Sequence, residues 1–429
     1  MKLKEMSDNL YQFVEDLFPL NRSLTGNGVR QTLNYIKDII PELNIYEIPT
    51  GTKCFDWTIP REWNCNDAYI ITPEGEKICE FKKNNLHLVG YSIPLNKEMP
   101  FNELKKHLYF LEKQPDSIPY ITSYYKENWG FCISYNQYKK LKDGIYKVKI
   151  DTTLENGYLT YGEVILKGEE EKEIFLSTYI CHPSMANNEL SGPAITSYLA
   201  KFISELKVRR YTYRIIFIPE TIGSIMYLSK NHDVMKRNVI SGFQITCVGD
   251  NNSFSYLPSR QGNSLADKVA LHILENYCLN FKKYTYLDRG SDERQYCFPG
   301  IDLPVCSVMR TKYREYDEYH TSLDNLEYIS PQGLFGAYKT YINIIEALEC
   351  NYIYMANILC EPQLNKIDGL YSDLYTKNNY PNIGNILNFI TYCDGKNDLI
   401  DISNIINLKY KDINNFIGLL IQNNIIRKI

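Results

Sequence analysis

The chain has 429 residues, 44% of them hydrophobic and 23% charged, with a formal net charge of −4 at pH 7. That length exceeds what one ordinary core organises and predicts two or three folded units. The mild acidity gives no electrostatic ground for nucleic acid or an anionic membrane as the main partner, and no apolar run approaches the roughly 20 residues that span a bilayer.

The opening MKLKEMSDNLYQFVEDLF sets acids inside its apolar stretch and is not read as a signal peptide. Twelve cysteines without a CxxC pair read as reduced thiols of a cytoplasmic protein. Residues 6–41 carry a helical apolar period, interrupted by the Gly26-Asn27-Gly28 turn, and LNIYEIP at 43–49 is strand-like. From 54 to 155 short alternating segments, among them WTIPREWNCNDAYIIT, KICEF, LHLVGYSIPL, GFCISY and GIYKVKIDT, are broken by Pro, Gly and Asn. They predict a small, mostly β domain inserted into a larger one.

Strand and helix patterns then alternate. EIFLSTYI, TYRIIFIP, ISGFQITCVG and DLPVCSVM read as strands; GPAITSYLAKFISEL, IGSIMYLSKN, SLADKVALHILENYC and PQGLFGAYKTYINIIEAL read as helices. Continuous apolar strands between helices predict a mostly parallel sheet covered on both faces, with chemistry at the carboxyl ends of the strands. The expected domains are 1–53 with 156–350, the insert 54–155, and 351–429, where three short amphipathic helices and a closing β segment suggest a winged helix. That tail carries seven basic and seven acidic residues, so a docking role is expected of it rather than DNA binding.

His182, Glu220 and Asp250 fall just past strand ends, Glu189 follows His182 by seven residues, and His320 lies in EYHTSLDN before the last long helix. Imidazoles and carboxylates on strand-end loops are the ligands of a zinc hydrolase, which also needs a nearby carboxylate to take a proton from water. The other histidines, His87, His107, His232 and His272, read as structural.

In this order the segments resemble the zinc aminopeptidase superfamily, which includes the glutaminyl cyclases. NRSLTGNGVRQTLNYIKDI resembles its opening R-x-x-G-S-x-G, STYICH the strand ending in the first metal histidine, NELSG the D-N-x-S-G helix start, and FIPETIGS the F-x-x-E-E-x-G motif with its general base. RGSDERQYCFPGIDLPV resembles S-D-H-x-x-F-x-x-x-G-I-P, and YHTSLDNL resembles H-T-x-x-D-x-L with the last metal histidine. A narrower resemblance covers the whole chain: a bacterial group of uncharacterised aminopeptidase-like proteins with an inserted β domain and a C-terminal winged helix, often encoded among surface-polysaccharide genes.

The resemblance implies metal-dependent amide hydrolysis, with His182 and His320 as ligands and Glu220 as base. It departs where the family has carboxylate ligands: Asn188, Thr221 and Thr246 stand there, so a two-zinc site does not carry over. A one-zinc set of His182, Glu189 and His320 is expected instead, with Asn188 or Asp250 as other candidates for the third ligand and an acidic helix cap as the other role for Glu189. Asp292, Arg310 and Tyr313 are expected on the substrate, beside Glu293 and Arg294. The substrate is a peptide N-terminus or an N-acyl amino-sugar-like amide, and a homo-oligomer is possible. A binding protein on a degenerate fold and a DNA-binding regulator are the rival readings.

Overall fold

The computed structural model describes residues 3–278, 280–364 and 380–429. They form two compact units, Met1–Asp267 with Asn280–Lys339, and Lys268–Leu279 with Thr340–Ile429.

The first unit is built on an eight-stranded sheet ordered Asn44–Pro49, Tyr158–Leu166, Tyr211–Ile218, Glu170–Tyr179, Val239–Gln244, Val305–Met309, Phe254–Leu257 and Phe281–Lys283. Its four central strands run parallel, and antiparallel pairs lie toward both edges. Every residue of Tyr211–Ile218 is buried, which is why the strand reads as a continuous apolar run rather than an alternating one. Helices Leu3–Leu17, Asn27–Ile39 and Ser191–Ser204 pack together, and Ile222–Asn238 packs with the short helix Glu293–Tyr296. The two short strands Phe254–Leu257 and Phe281–Lys283 were not expected; each is too brief for a period to show.

Helix Ser191–Ser204 starts hard against the sheet. A Cβ on Gly192 would lie 2.5 Å from both the Ile245 carbonyl and Thr178 Oγ1, so only glycine permits that approach. A π-helical turn, Ala186–Leu190, leads into it. Asp324 holds this turn, accepting from the backbone N–H groups of Ala186 (3.1 Å), Asn187 (2.6 Å) and Asn188 (3.0 Å).

Residues 54–155 carry a separate four-stranded sheet, in which Glu62–Ile71 and Leu95–Pro100 flank Ile145–Glu155. Two β readings here are corrected. LHLVGYSIPL opens with a 3₁₀ turn, Asn85–His87, and GFCISY holds a two-residue strand before helix Tyr135–Tyr138. Ser134 caps that helix by accepting from Gln137 N–H, a local hydrogen bond that outweighs β propensity.

In the second unit, strand Ile353–Ala356 pairs antiparallel with Asp394–Asp398 and Ile426–Lys428, beside helices Tyr380–Thr391, Leu399–Ile405 and Tyr410–Gln422. Asp398 and Asp401 form a reciprocal capping box at the start of the second helix; three helices and a closing strand are the elements expected of a winged helix. Among the described residues no helix is long and apolar enough to cross a membrane. None of the twelve cysteines forms a disulfide.

Candidate functional site

Strands Glu170–Tyr179 and Tyr211–Ile218 are parallel neighbours, with Tyr179 opposite Ile218. That register sets His182 and Glu220, each just beyond its strand, side by side: His182 Nε2 lies 3.9 Å from Glu220 Oε2. His320 arrives on the loop after Val305–Met309 in a left-handed backbone conformation, φ 57°, which few non-glycine residues adopt. Its ring centroid is 5.4 Å from that of His182. His320 Nε2 is buried without a hydrogen-bond partner.

These three side chains line one cavity of about 380 Å³ with Cys181, Thr221, Arg294, Leu24, Trp57, Tyr120, Thr122, Tyr124 and Tyr125. The insert supplies much of its wall, a contribution the sequence did not reveal. Segment 114–122 is bound to the His320 loop: Pro119 bridges Thr321, and Tyr120 N–H donates to the His320 carbonyl. Tyr120 therefore packs against both imidazoles, its ring 5.3 Å from His182 and 5.2 Å from His320, and its hydroxyl meets that of Tyr124 at 2.8 Å.

Glu189 sits on the other edge of His182, with Oε2 2.9 Å from Nδ1, fully buried and not in the cavity wall. Arg22, which the sequence reading did not single out, lies beyond it with Nε 3.4 Å from Glu189 Oε1. Arg22 also donates to the carbonyls of His182 (3.1 Å) and Leu17 (2.7 Å). Burial outweighs their pairing: it pushes the Glu189 carboxyl up to about 8 and pulls Arg22 below its ordinary value. Cys181 Sγ, His182 Nδ1 and Glu189 lie within 4.8 Å of one another. The adjacent guanidinium already supplies positive charge there, so this edge is a poor place for a second cation.

Thr221 opens helix Ile222–Asn238 at φ 65°, an outlier for a β-branched residue. Asp292 Oδ1 holds it by accepting from Thr221 N–H and Ser224 Oγ, both at 2.8 Å, and Arg294 Nη2 donates to the Thr221 hydroxyl. Asp292 is fully buried and lies outside the cavity wall. Burial first, then the Asp292 carboxylate, raises the Glu220 pKa. Burial likewise places the Cys181 thiol far above its normal range, which makes it inert.

Other expected residues are not brought to the cavity. Arg310 donates to the Asp250 carbonyl at 2.7 Å and covers the Phe254 ring, and Tyr313 donates to Glu293 Oε1 at 2.7 Å. Both serve loop packing instead of lining this cavity. Asp250 is occupied by Thr311, Asn252 and Asn187. The Tyr179 hydroxyl bonds Asn188 Oδ1 at 2.8 Å and meets Thr246 Oγ1; a phenol thus knits together two positions at which the resemblance would lead one to expect metal carboxylates.

A mixed eight-stranded sheet with the site at the ends of its central strands is the aminopeptidase-like α/β fold. A zinc aminopeptidase from Bacillus subtilis superposes with a TM-score of 0.57 at 12% identity, covering 80% of this chain and 94% of that one. Residues 11–351 match the family described as a domain of unknown function, DUF4910, and residues 352–428 match a winged helix-turn-helix; the chain belongs to the DUF4910 family and ends in a winged helix. A Clostridium acetobutylicum protein, provisionally named for polysaccharide biosynthesis and an aminopeptidase-like domain, is 46% identical over 402 residues, 93% of this chain and 91% of that one. The crystal structure of a provisionally assigned peptidase from the same species has a TM-score of 0.93 at 43% identity, covering 100% of this chain and 97% of that one.

The imidazoles make a pH prediction. Burial first, then Arg22 for His182 and His182 for His320, lowers both pKa values to about 3. The unfolded chain takes up protons near pH 6.5 that the native site refuses, so this stability is present above about 6.5 and lost as pH falls toward about 3. In urea titrations of metal-free protein, wild type should lose stability more steeply than His320→Gln between pH 7 and 4. Parallel slopes would show that the His320 environment does not suppress its protonation.

Proposed function

We propose that the chain hydrolyses an amide with the help of one divalent cation, zinc being the ion used by proteins of this fold, held by His182 and His320 at the mouth of the parallel sheet. The observation that carries the reading is the pair of neutral imidazoles facing one cavity, one with a buried Nε2 that has no partner, beside a carboxylate 3.9 Å from the other. This donor pair fits the ion, since neutral imidazole nitrogen is one of its common ligands. When bound there, the cation polarises the substrate carbonyl and lowers the pKa of water.

The protein's own groups do the rest. Glu189 on Nδ1 fixes the orientation of the His182 ring and leaves Nε2 for the cavity, the role a carboxylate behind a metal histidine plays; this assignment replaces the ligand role expected for it. Glu220 takes a proton from water as oxygen bonds the carbonyl carbon, and returns it to nitrogen as the C–N bond breaks. Its raised pKa suits a group that both accepts and donates near neutral pH. The wall of Trp57, Tyr120, Tyr124 and Tyr125 excludes water and offers flat faces to the organic part of the substrate. A peptide N-terminus and an N-acyl amino sugar are the two substrate types considered; the name of the Clostridium relative supports the second.

Glu220→Gln should leave fold and zinc content unchanged and lower the amide hydrolysis rate by about 10²–10⁴-fold, measured by amine release from a panel of peptides and N-acetyl amino sugars. Undiminished release by the variant would remove Glu220 from the chemistry. Release by neither protein across the panel would favour a non-catalytic binding role.

A further inference from the structure

Arg294 is engaged only in part. It lines the cavity, its Nη2 donates to the uncharged Thr221 hydroxyl, and its Nε is buried without a hydrogen-bond partner among the described residues. Glu220 and Asp292 lie near enough to feel its charge, yet Arg294 forms an ion pair with neither among the described residues. A guanidinium has five donors in a planar fork that matches a carboxylate, and leaving one buried costs free energy unless a ligand completes it.

The cavity has no matching provision for an ammonium group on the substrate. Among the described residues Glu220 is the only carboxylate in its wall; Glu189, Asp292 and Asp324 are each fully buried and engaged elsewhere. A substrate with a free α-ammonium group would meet Arg294 and find only the base to pair with. An anionic substrate meets a fixed cation beside the base, with Trp57, Tyr120, Tyr124 and Tyr125 for its apolar or ring portion.

We infer that Arg294 binds a carboxylate carried by the substrate, so that the site takes N-acylated acids, amides whose amine portion bears a carboxylate, rather than the free amino terminus of a peptide. The inference rests on the cavity being the substrate site proposed above, and it narrows the substrate class of that reading. Arg294 would determine specificity; Thr221 and Asp292 hold it and the turn beneath it in place.

The test uses matched ligands differing in one charge: N-acetylmuramate against N-acetylglucosamine, and N-acetyl-leucine against its amide, with leucine amide as the cationic probe. Affinities are measured by calorimetry on the full chain, with zinc content determined on the same samples. At least one acid should bind about ten-fold or more tightly than its neutral partner, the worth of a charge-assisted hydrogen bond. Arg294→Gln should erase the difference, and Arg294→Lys, which keeps the charge but not the fork, should keep part of it. No acid preference in either pair, or tightest binding by leucine amide, overturns the inference; so does a preference that survives in Arg294→Gln. If that variant fails to fold, the wild-type pairs and Arg294→Lys decide. Acid preference in protein that binds no zinc would uphold Arg294 and overturn the metal reading; zinc without acid preference would do the reverse.

Discussion

Protein purified without chelator or histidine tag should carry about one zinc per chain, and His182→Ala and His320→Ala should each abolish stoichiometric binding and, with it, amide hydrolysis. The expectation follows from the donor count. Two imidazoles face the cavity, and with Glu220 kept for the proton they are the side-chain donors assigned to the ion. Removing either imidazole leaves too few donors for the ion. Glu189→Gln tests the part assigned to Glu189. An amide can still accept from Nδ1 but no longer raises the basicity of the ring, so affinity should fall by about 10–100-fold without vanishing. A Glu189 variant as empty as His182→Ala would return Glu189 to the ligand set. Zinc retained at full occupancy in both alanine variants would place the metal elsewhere in the chain.

The fold was legible because its strands are buried on both faces. Tyr211–Ile218 and the buried half of Glu170–Tyr179, residues 174–179, announce themselves as largely apolar runs, and helix Ser191–Ser204 between them carries its own period. The meeting of His182 and Glu220 was legible too, since parallel neighbours bring their carboxyl ends together. What escaped the sequence were the long-range joins. Tyr120 precedes His320 by 200 positions and reaches it through one isolated bridge, Pro119 to Thr321, for which no local pattern exists. Arg22 stood in a quoted motif as an ordinary charged residue; nothing in its neighbours tells that its guanidinium is buried against Glu189. Arg310 and Tyr313 were misplaced for the converse reason: a polar loop close in sequence to His320 need not face the same way, and here Asp250 and Glu293 take them.

The second large effect is on stability. At pH 8–9, where the Glu189 carboxyl ionises, Arg22→Met should destabilise the first unit by about 3–5 kcal/mol, the cost of leaving one member of a buried ion pair uncompensated. Glu189 would keep its place beside His182 with no cation nearby, and the Leu17 and His182 carbonyls would lose the donors they now have at 2.7 and 3.1 Å. Since Glu189 already titrates at about 8, against about 4.3 when unfolded, its ionisation works against the fold. The native state holds a proton the unfolded chain has released, so this contribution is full below about 4.3 and lost as pH rises through about 8. Removing Arg22 raises the native pKa further, and the variant should therefore lose more stability between pH 6 and 9 than wild type does. Adding Glu189→Leu to Arg22→Met should recover much of the loss, because an apolar pair of similar volume often equals a buried ion pair. Yet the double variant, stable again, should still bind zinc poorly, since nothing orients the His182 ring. Urea titration with a first-unit probe gives the stabilities, because a chain of two units need not unfold in one step. If Arg22→Met changes stability by less than about 1 kcal/mol, the range of an exposed ion pair, the buried pair is not what holds the His182 loop; if stability and zinc return together in the double variant, Glu189 is not what positions the ring.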